Sequence, residues 1–246
     1  MGKVSGIDYV DASWGPWRGC TKVSPGCQHC YAERSMNWYG LDFNSVTRAA
    51  NRTFEAPLRW EEPMRIMVCP WGDFFHPAAD DWRGEALDVV ARCPHHTFIV
   101  VTKRPERIIP CLYETGYLVG GDSLRNVWFL TTAENQEMAD RRIPELLNLR
   151  QHGNWPVLGV SIEPMLGAVE LAPRLDRLDW VIVGAESGPN HRTCNLDWVR
   201  RIRDDCKAAA APLFVKQIRV AGQLVKDADQ FPIDFRIRQI PTGDRQ

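Results

Sequence analysis

The stretch "DWVIVGAE", Asp179 to Glu186, runs from Trp180 to Ala185 without a polar side chain and stops at a carboxylate. A strand with one face in water alternates apolar and polar residues. A strand that does not alternate is covered on both faces, as in parallel sheets flanked by helices. Five other runs have this character: "RIMVC" (65–69), "TFIVVTK" (97–103), "NVWFLTT" (126–132), "PVLGVSIE" (156–163) and "PLFVKQ" (212–217). A further strand is expected earlier, within "IDYVDASW" (7–14).

Helical patterns fill the intervals. "DDWRGEALDVVARC" places Trp82, Ala86, Val89 and Val90 on one face, and "ENQEMADRRIPELLNL" does the same with Met138, Ile143, Leu146 and Leu147. "NLDWVRRIRDDCKAAA" opens on an asparagine suited to capping, carries Asp197 in its first turn and presents Trp198, Val199 and Ile202 to a core. The alternation predicts an α/β chain of one domain over 1–246, a parallel (partial) β/α barrel of about six to seven strands or the related doubly wound sheet. The polar and proline-bearing tail, 221–246, is expected to be a C-terminal covering extension.

Every predicted strand ends in polar residues: Asp73 after the first run, Lys103 and Arg104, then Thr131, Thr132 and Glu134, then Ser161 and Glu163, Glu186 and Ser187, and Lys216 and Gln217. Ligands of parallel α/β folds sit at the carboxyl ends of the strands, so this ring is the expected site. Strands also end at water, which brings polar residues there in any case.

The second feature is "GCTKVSPGCQHCYAE", which sets Cys20, Cys27 and Cys30 in one loop just after the first expected strand. Three thiols are too few for an all-cysteine structural zinc site and the wrong parity for disulfides. Three thiolates do suit a [4Fe–4S] cluster, leaving one iron free for a small chelating molecule. The loop has Pro25 and Gly26 to turn the chain before Cys27, and "YAERSMNW" continues as a helix. The rival is zinc, with a Cys-x-x-Cys half-site completed by His29, His76 or Cys69. The other five of the eight cysteines, Cys69, Cys93, Cys111, Cys194 and Cys206, are scattered and read as small buried hydrophobes.

At this loop the sequence resembles the radical S-adenosylmethionine superfamily: three cysteines after the first barrel strand, an aromatic (Tyr31) beside the last, and a β/α array following. The spacing departs from the commonest pattern, with six residues between the first two cysteines instead of three, while the final Cys-x-x-Cys is kept. "WGPWRGCTKVSPGCQHCYAE", "VTKRPERI", "SIEPMLGAVEL", "DWVIVGAESGPNHR" and "FVKQ" look like a phage-associated family of unassigned function, itself similar to spore-photoproduct-lyase-like radical enzymes.

The resemblance implies two cofactors, a [4Fe–4S] cluster on Cys20, Cys27 and Cys30 and S-adenosyl-L-methionine. Reductive cleavage of the latter to a 5′-deoxyadenosyl radical would abstract hydrogen from substrate, with an external electron donor of flavodoxin or ferredoxin type. It also implies cofactor-binding roles. Lys103 or Arg104 would hold the methionine carboxylate, and Thr131, Thr132, Ser161 or Glu163 the ribose and amino groups. Gly184 and Glu186 would lie against adenine, and Asp73 would bind the amino group.

Charge balance is near neutral, 30 basic against 31 acidic side chains and a net charge of -1, so no chain-wide nucleic-acid footprint is present. A nucleobase or nucleotide substrate, in DNA or free, is expected from the resemblance. Arg48, Arg52 and Arg104 are its candidate local basic mouth, and one of ten tryptophans is its candidate stacking surface. Trp14 and Trp17, which flank the cysteine loop, are expected to shield it or to pack in the core. The alternative class is a zinc-stabilised nucleic-acid-binding protein without catalysis. No run approaches the roughly 18 apolar residues of a membrane span, and the beginning of the chain lacks a signal-peptide pattern, so a cytoplasmic location with reduced thiols is expected.

Overall fold

The computed structural model describes residues 6–118 and 124–243. Strands β1 (Ala12–Trp14), β4 (Arg65–Val68), β5 (Thr97–Thr102), β6 (Val127–Thr132), β7 (Val157–Ile162), β8 (Trp180–Gly184), β9 (Leu213–Val220) and β10 (Gln223–Val225) form one sheet in that order. Two short strands between β1 and β4, β2 (Trp17–Arg18) and β3 (Thr47–Arg48), pair antiparallel outside it. Neighbours from β1 to β9 are parallel, and only β10 pairs antiparallel with β9. The sheet curls into a half-barrel.

The strand order follows chain order, so each parallel pair is joined by a crossover, most of them helical. The helices are α1 (Tyr31–Trp38), α2 (Asn51–Phe54), α3 (Asp80–Ala91), α4 (Ile108–Glu114), α5 (Gln136–Leu147) and α6 (Leu196–Ala208). The expected cap is present, with the Asn195 side chain accepting from Asp197 N, and Asn135 caps α5 by accepting from Met138 N.

The continuous apolar runs resolve into two faces once the sheet is folded. Phe98, Val100, Phe129, Leu158, Val160, Val181, Val183, Leu213 and Val215 join the helices in the outer core. Met67, Ile99, Leu130, Val157, Trp180, Ile182 and Phe214 alternate with them and fill the concave side. Side chains along a strand repeat with period two, so continuing each inner column beyond Val101, Leu130, Ile182 and Phe214 arrives at Lys103, Thr132, Gly184 and Lys216. The polar ring is the inner face carried past its apolar floor.

Two expectations change. The sheet has eight strands where six or seven were expected, because part of the tail read as a covering extension turns back after Gly222 as β10. The rest of that tail closes the floor: Trp180 Nε1 donates to Gln239 O, and Ile240 packs with the inner cluster. The first expected strand is short, since residues 7–10 run beneath the sheet, where the Tyr9 ring meets Trp180 and Phe214 edge-on at 5.3 and 5.4 Å. Among the described residues no helix is long and apolar enough to cross a membrane.

Candidate cofactor site

At the carboxyl ends of the parallel strands lies a cavity with about 1130 Å³ of empty space, its open mouth included. Cys20, Cys27 and Cys30 line it, together with Tyr31, Asp73, Lys103, Arg104, Thr132, Ser161, Glu163, Glu186 and Lys216. The three thiols are free and half-buried, whereas the five scattered cysteines are buried, the division expected from their spacing. Cys20 and Cys30 rest on an apolar patch of Ala32, Met36, Phe43, Leu41 and Trp71. Burial and the nearby Asp73 push the Cys20 thiol up to about 11, against the opposing pull of Arg104.

The cysteine loop is held by three carboxylate–arginine pairs, each beginning at a strand end. Asp73 pairs with Arg104 at 3.1 Å; Arg104 also reaches Cys20 Sγ at 3.5 Å and donates to Thr21 O and Oγ1 at 3.0 and 2.9 Å. Glu134, after β6, pairs with Arg142 of α5 at 2.9 Å and accepts from Gly26 N at 2.9 Å. Glu186, after β8, binds Arg192 and accepts the 3.1 Å contact of His29 Nδ1, while Arg192 donates to Pro25 O. Burial pushes the Glu134 and Glu186 carboxyls up, but their hydrogen bonds outweigh it: Glu134 lies below the usual carboxylate range and Glu186 at about 2.

These pairs sort the candidate residues by what they have left to offer a ligand. Asp73 has both oxygens engaged: Oδ1 accepts from Thr102 Oγ1 and Phe75 N, and Oδ2 from Lys103 N and Arg104 Nη1. Its geometry is that of a brace, not of the amino-group ligand the resemblance implies. Arg104 is engaged in the same way, which leaves Lys103 as the cavity cation whose ammonium has no partner among the described residues. Glu186 is saturated by Arg192 and His29.

Thr132 and Ser161 are register partners on adjacent strands. Both are buried and line the cavity, and neither hydroxyl has a hydrogen bond among the described residues. Thr131 points the other way and donates to Thr102 O inside the outer layer, so it drops out of the candidate set. Glu163 accepts from Lys216 Nζ at 2.6 Å through one oxygen. Gly184 does not line the cavity. A Cβ there would lie 3.2 Å from Glu163 Cγ, so its role is clearance for that side chain. Tyr31 anchors the start of α1 through a 2.6 Å bond from its hydroxyl to Pro70 O.

Among the described residues no group of three or more His, Cys, Asp or Glu draws together as a single-ion site. His76, a candidate zinc partner, has both ring nitrogens engaged, Nδ1 accepting from Ala78 N and Nε2 donating to Thr21 Oγ1. Trp14 and Trp17 are buried in the core, and Trp17 stacks on Phe74 at 5.0 Å. Arg48 binds Glu85 and Asn51, so of the expected basic mouth only Arg52 keeps an exposed side chain clear of such partners among the described residues.

A family profile described as "Protein of unknown function (DUF5131)" matches residues 4–230. The chain belongs to the DUF5131 family. That match takes in the whole cysteine loop and every strand end that lines the cavity. No curated protein and no solved structure matches this DUF5131 chain.

Sequence reasoning had Glu134 and Glu186 as members of the polar ring but not as braces, and it missed Arg142 and Arg192. Arg142 carried a signal: it falls on the buried stripe of α5 with Met138, Ala139, Ile143 and Leu146. A charge on an apolar stripe requires a partner. Arg192 lies in an irregular segment with no such periodicity.

Proposed function

We propose that the chain is a radical S-adenosylmethionine enzyme. Cys20, Cys27 and Cys30 would hold a [4Fe–4S] cluster, with the S-adenosylmethionine and the substrate in the cavity beside it. The observation that carries the reading is the convergence of three free, half-buried thiols and the unpartnered groups of three strand ends, those of β5, β6 and β7, on one cavity. The donor set fits the cluster, since thiolates are the ligands iron–sulfur centres take and the patch beneath Cys20 and Cys30 limits water. When bound, the cluster supplies the one-electron reduction needed for homolytic cleavage of the S-adenosylmethionine C–S bond, with electrons from an external carrier of flavodoxin or ferredoxin type.

The chain's own residues bind and orient. Lys103 offers the cation for the methionine carboxylate. The adjacent Thr132 and Ser161 hydroxyls suit the ribose, whose two hydroxyls can each take one partner. Glu163 offers its second oxygen to the amino group, and the inner apolar floor excludes water from below. For substrate, the nucleobase-bearing molecule that the resemblance implies has a candidate stacking ring in the exposed Trp38 at the end of α1, outside the residues that line the cavity. The engagement of Arg48 and Arg104 favours a nucleotide presented singly over a duplex.

Anaerobic reconstitution tests the reading. Wild-type protein should take up about one [4Fe–4S] cluster per chain and form 5′-deoxyadenosine with a reductant. Cys20→Ala, Cys27→Ala and Cys30→Ala should each lose the cluster, while Cys69→Ala, Cys93→Ala and Cys111→Ala should keep it. Full iron in Cys27→Ala, or one tightly held zinc in place of iron, would end the assignment.

A further inference from the structure

Arg104 is a buried arginine whose guanidinium does not face the open cavity as a free cation. Nη1 lies 3.1 Å from Asp73 Oδ2 and 3.5 Å from Cys20 Sγ, and Nη2 lies 3.0 and 2.9 Å from Thr21 O and Oγ1. The planar fork thus grips the backbone and side chain of Thr21 and points one N–H at the sulfur of the first cysteine. Asp73 holds the guanidinium from behind. Thr102 Oγ1 both donates to Asp73 Oδ1 and accepts from Arg104 N, fixing the start of the side chain as well. His76 Nε2 adds a second donor to Thr21 Oγ1 at 3.0 Å. The joints tie three segments together, the Asp73–His76 turn, the end of β5 at Thr102–Arg104 and the cysteine loop at Cys20–Thr21, so the Nη1–Sγ contact is specified and not incidental. No cation hydrogen-bonds to the other two thiols among the described residues: Cys27 Sγ has only the Ser24 hydroxyl, at 3.9 Å.

Resting on the cluster reading above, we infer that Arg104 is a positioning residue that sets the reduction potential of the cluster through Cys20. The sign follows from charge. Reduction adds one electron to the cluster and its thiolates, and a guanidinium hydrogen bond to a ligand sulfur stabilises that added negative charge, so the contact raises the potential. Burial strengthens the effect, because little water stands between the guanidinium and Cys20 to screen it. Asp73 moderates the charge while holding its direction, which is why the pair, and not a lone arginine, stands at this strand end. Cys20 becomes the corner of the cluster at which the protein tunes it, while Cys27 and Cys30 supply anchorage.

The test is a redox titration of anaerobically reconstituted protein followed by electron paramagnetic resonance. Arg104→Gln, which keeps polar bulk without the charge, should retain full iron and show a potential shifted to more negative values. Arg104→Lys, with the charge but not the fork, should fall between Arg104→Gln and wild type. A merely structural clamp would change iron content or melting temperature in these variants without moving the potential of the clusters that do assemble. An unchanged potential in iron-replete Arg104→Gln overturns the inference. Loss of iron from both variants in a normally folded chain overturns it too, by assigning Arg104 to assembly. A wild-type chain that takes up no iron overturns the reading beneath it, and the inference falls with that reading.

Discussion

Gly26 and Glu134 stand 108 positions apart in the chain, yet Gly26 N donates a 2.9 Å hydrogen bond to Glu134 Oε1. The bond ties the turn before Cys27 to the end of β6, and only a residue without a side chain permits it. A Cβ on residue 26 would lie 2.9 Å from both Cδ and Oε1 of the carboxylate. Glu134 is fully buried and also carries Arg142, so the carboxylate cannot simply move aside.

Gly26→Ala should therefore lower both the melting temperature and iron uptake, since a buried carboxylate loses a backbone donor at a cost of about 1–3 kcal/mol. Glu134→Gln keeps an oxygen for Gly26 N but deprives buried Arg142 of its counter-charge. It should destabilise the chain while retaining most of its iron. Paired melting and iron assays check both, and a wild-type melt with full iron in Gly26→Ala would contradict the brace.

The Glu186 latch gives a pH dependence. Its carboxyl lies at about 2 in the folded chain against an ordinary 4.5, so between those values the unfolded chain binds the extra proton. The stability it contributes is fully present above pH 4.5 and is lost as pH falls toward 2. Thermal melts of metal-free protein should decline across that window, and Glu186→Gln should decline less, with Glu134, Asp11, Asp80 and Asp234, whose carboxyls are also depressed, contributing to the rest.

Lys103 and Gly184 separate two ways of losing cofactor affinity. Lys103→Ala removes the unpartnered cavity cation and should weaken S-adenosylmethionine binding about tenfold or more, with little change in melting temperature, as hydrogen bonds to charged groups contribute roughly 1.5–3 kcal/mol. Gly184→Ala should weaken binding by displacing Glu163, because a Cβ at 3.2 Å forces that side chain to give. Equilibrium dialysis on reconstituted protein measures both, and unchanged affinity in Lys103→Ala would remove it from the site.

Oligonucleotide binding should be weak and should fall only gently with salt, because Arg48 and Arg104 are already paired and few phosphates could displace condensed cations. Affinity for a free nucleotide should drop in Trp38→Ala, since stacking on an exposed ring contributes about 1–3 kcal/mol per base. Trp38 is 85% exposed, so this substitution should leave the melting temperature unchanged. Fluorescence anisotropy across a salt series measures both; a steep salt slope would favour a polymer substrate.

The parallel strands were legible in the chain because uninterrupted runs such as 180–185 and their spacing are local properties. So was the division of cysteines, since three thiols in one loop must share a neighbourhood. Facing was not. Thr131 and Thr132 are adjacent and chemically identical, yet one donates within the outer layer and the other lines the cavity, an outcome set by strand register across the sheet. Nor was availability: Lys103 and Arg104 are neighbouring cations, and only the approach of Asp73 and the cysteine loop, 31 and 84 positions away, engages one and leaves the other free. Periodicity and spacing act over a few residues and can be read along the chain. Which charges meet, and which hydroxyls open on a cavity, depends on contacts between segments far apart in sequence, and those exist only once the sheet has curled and its ends have met.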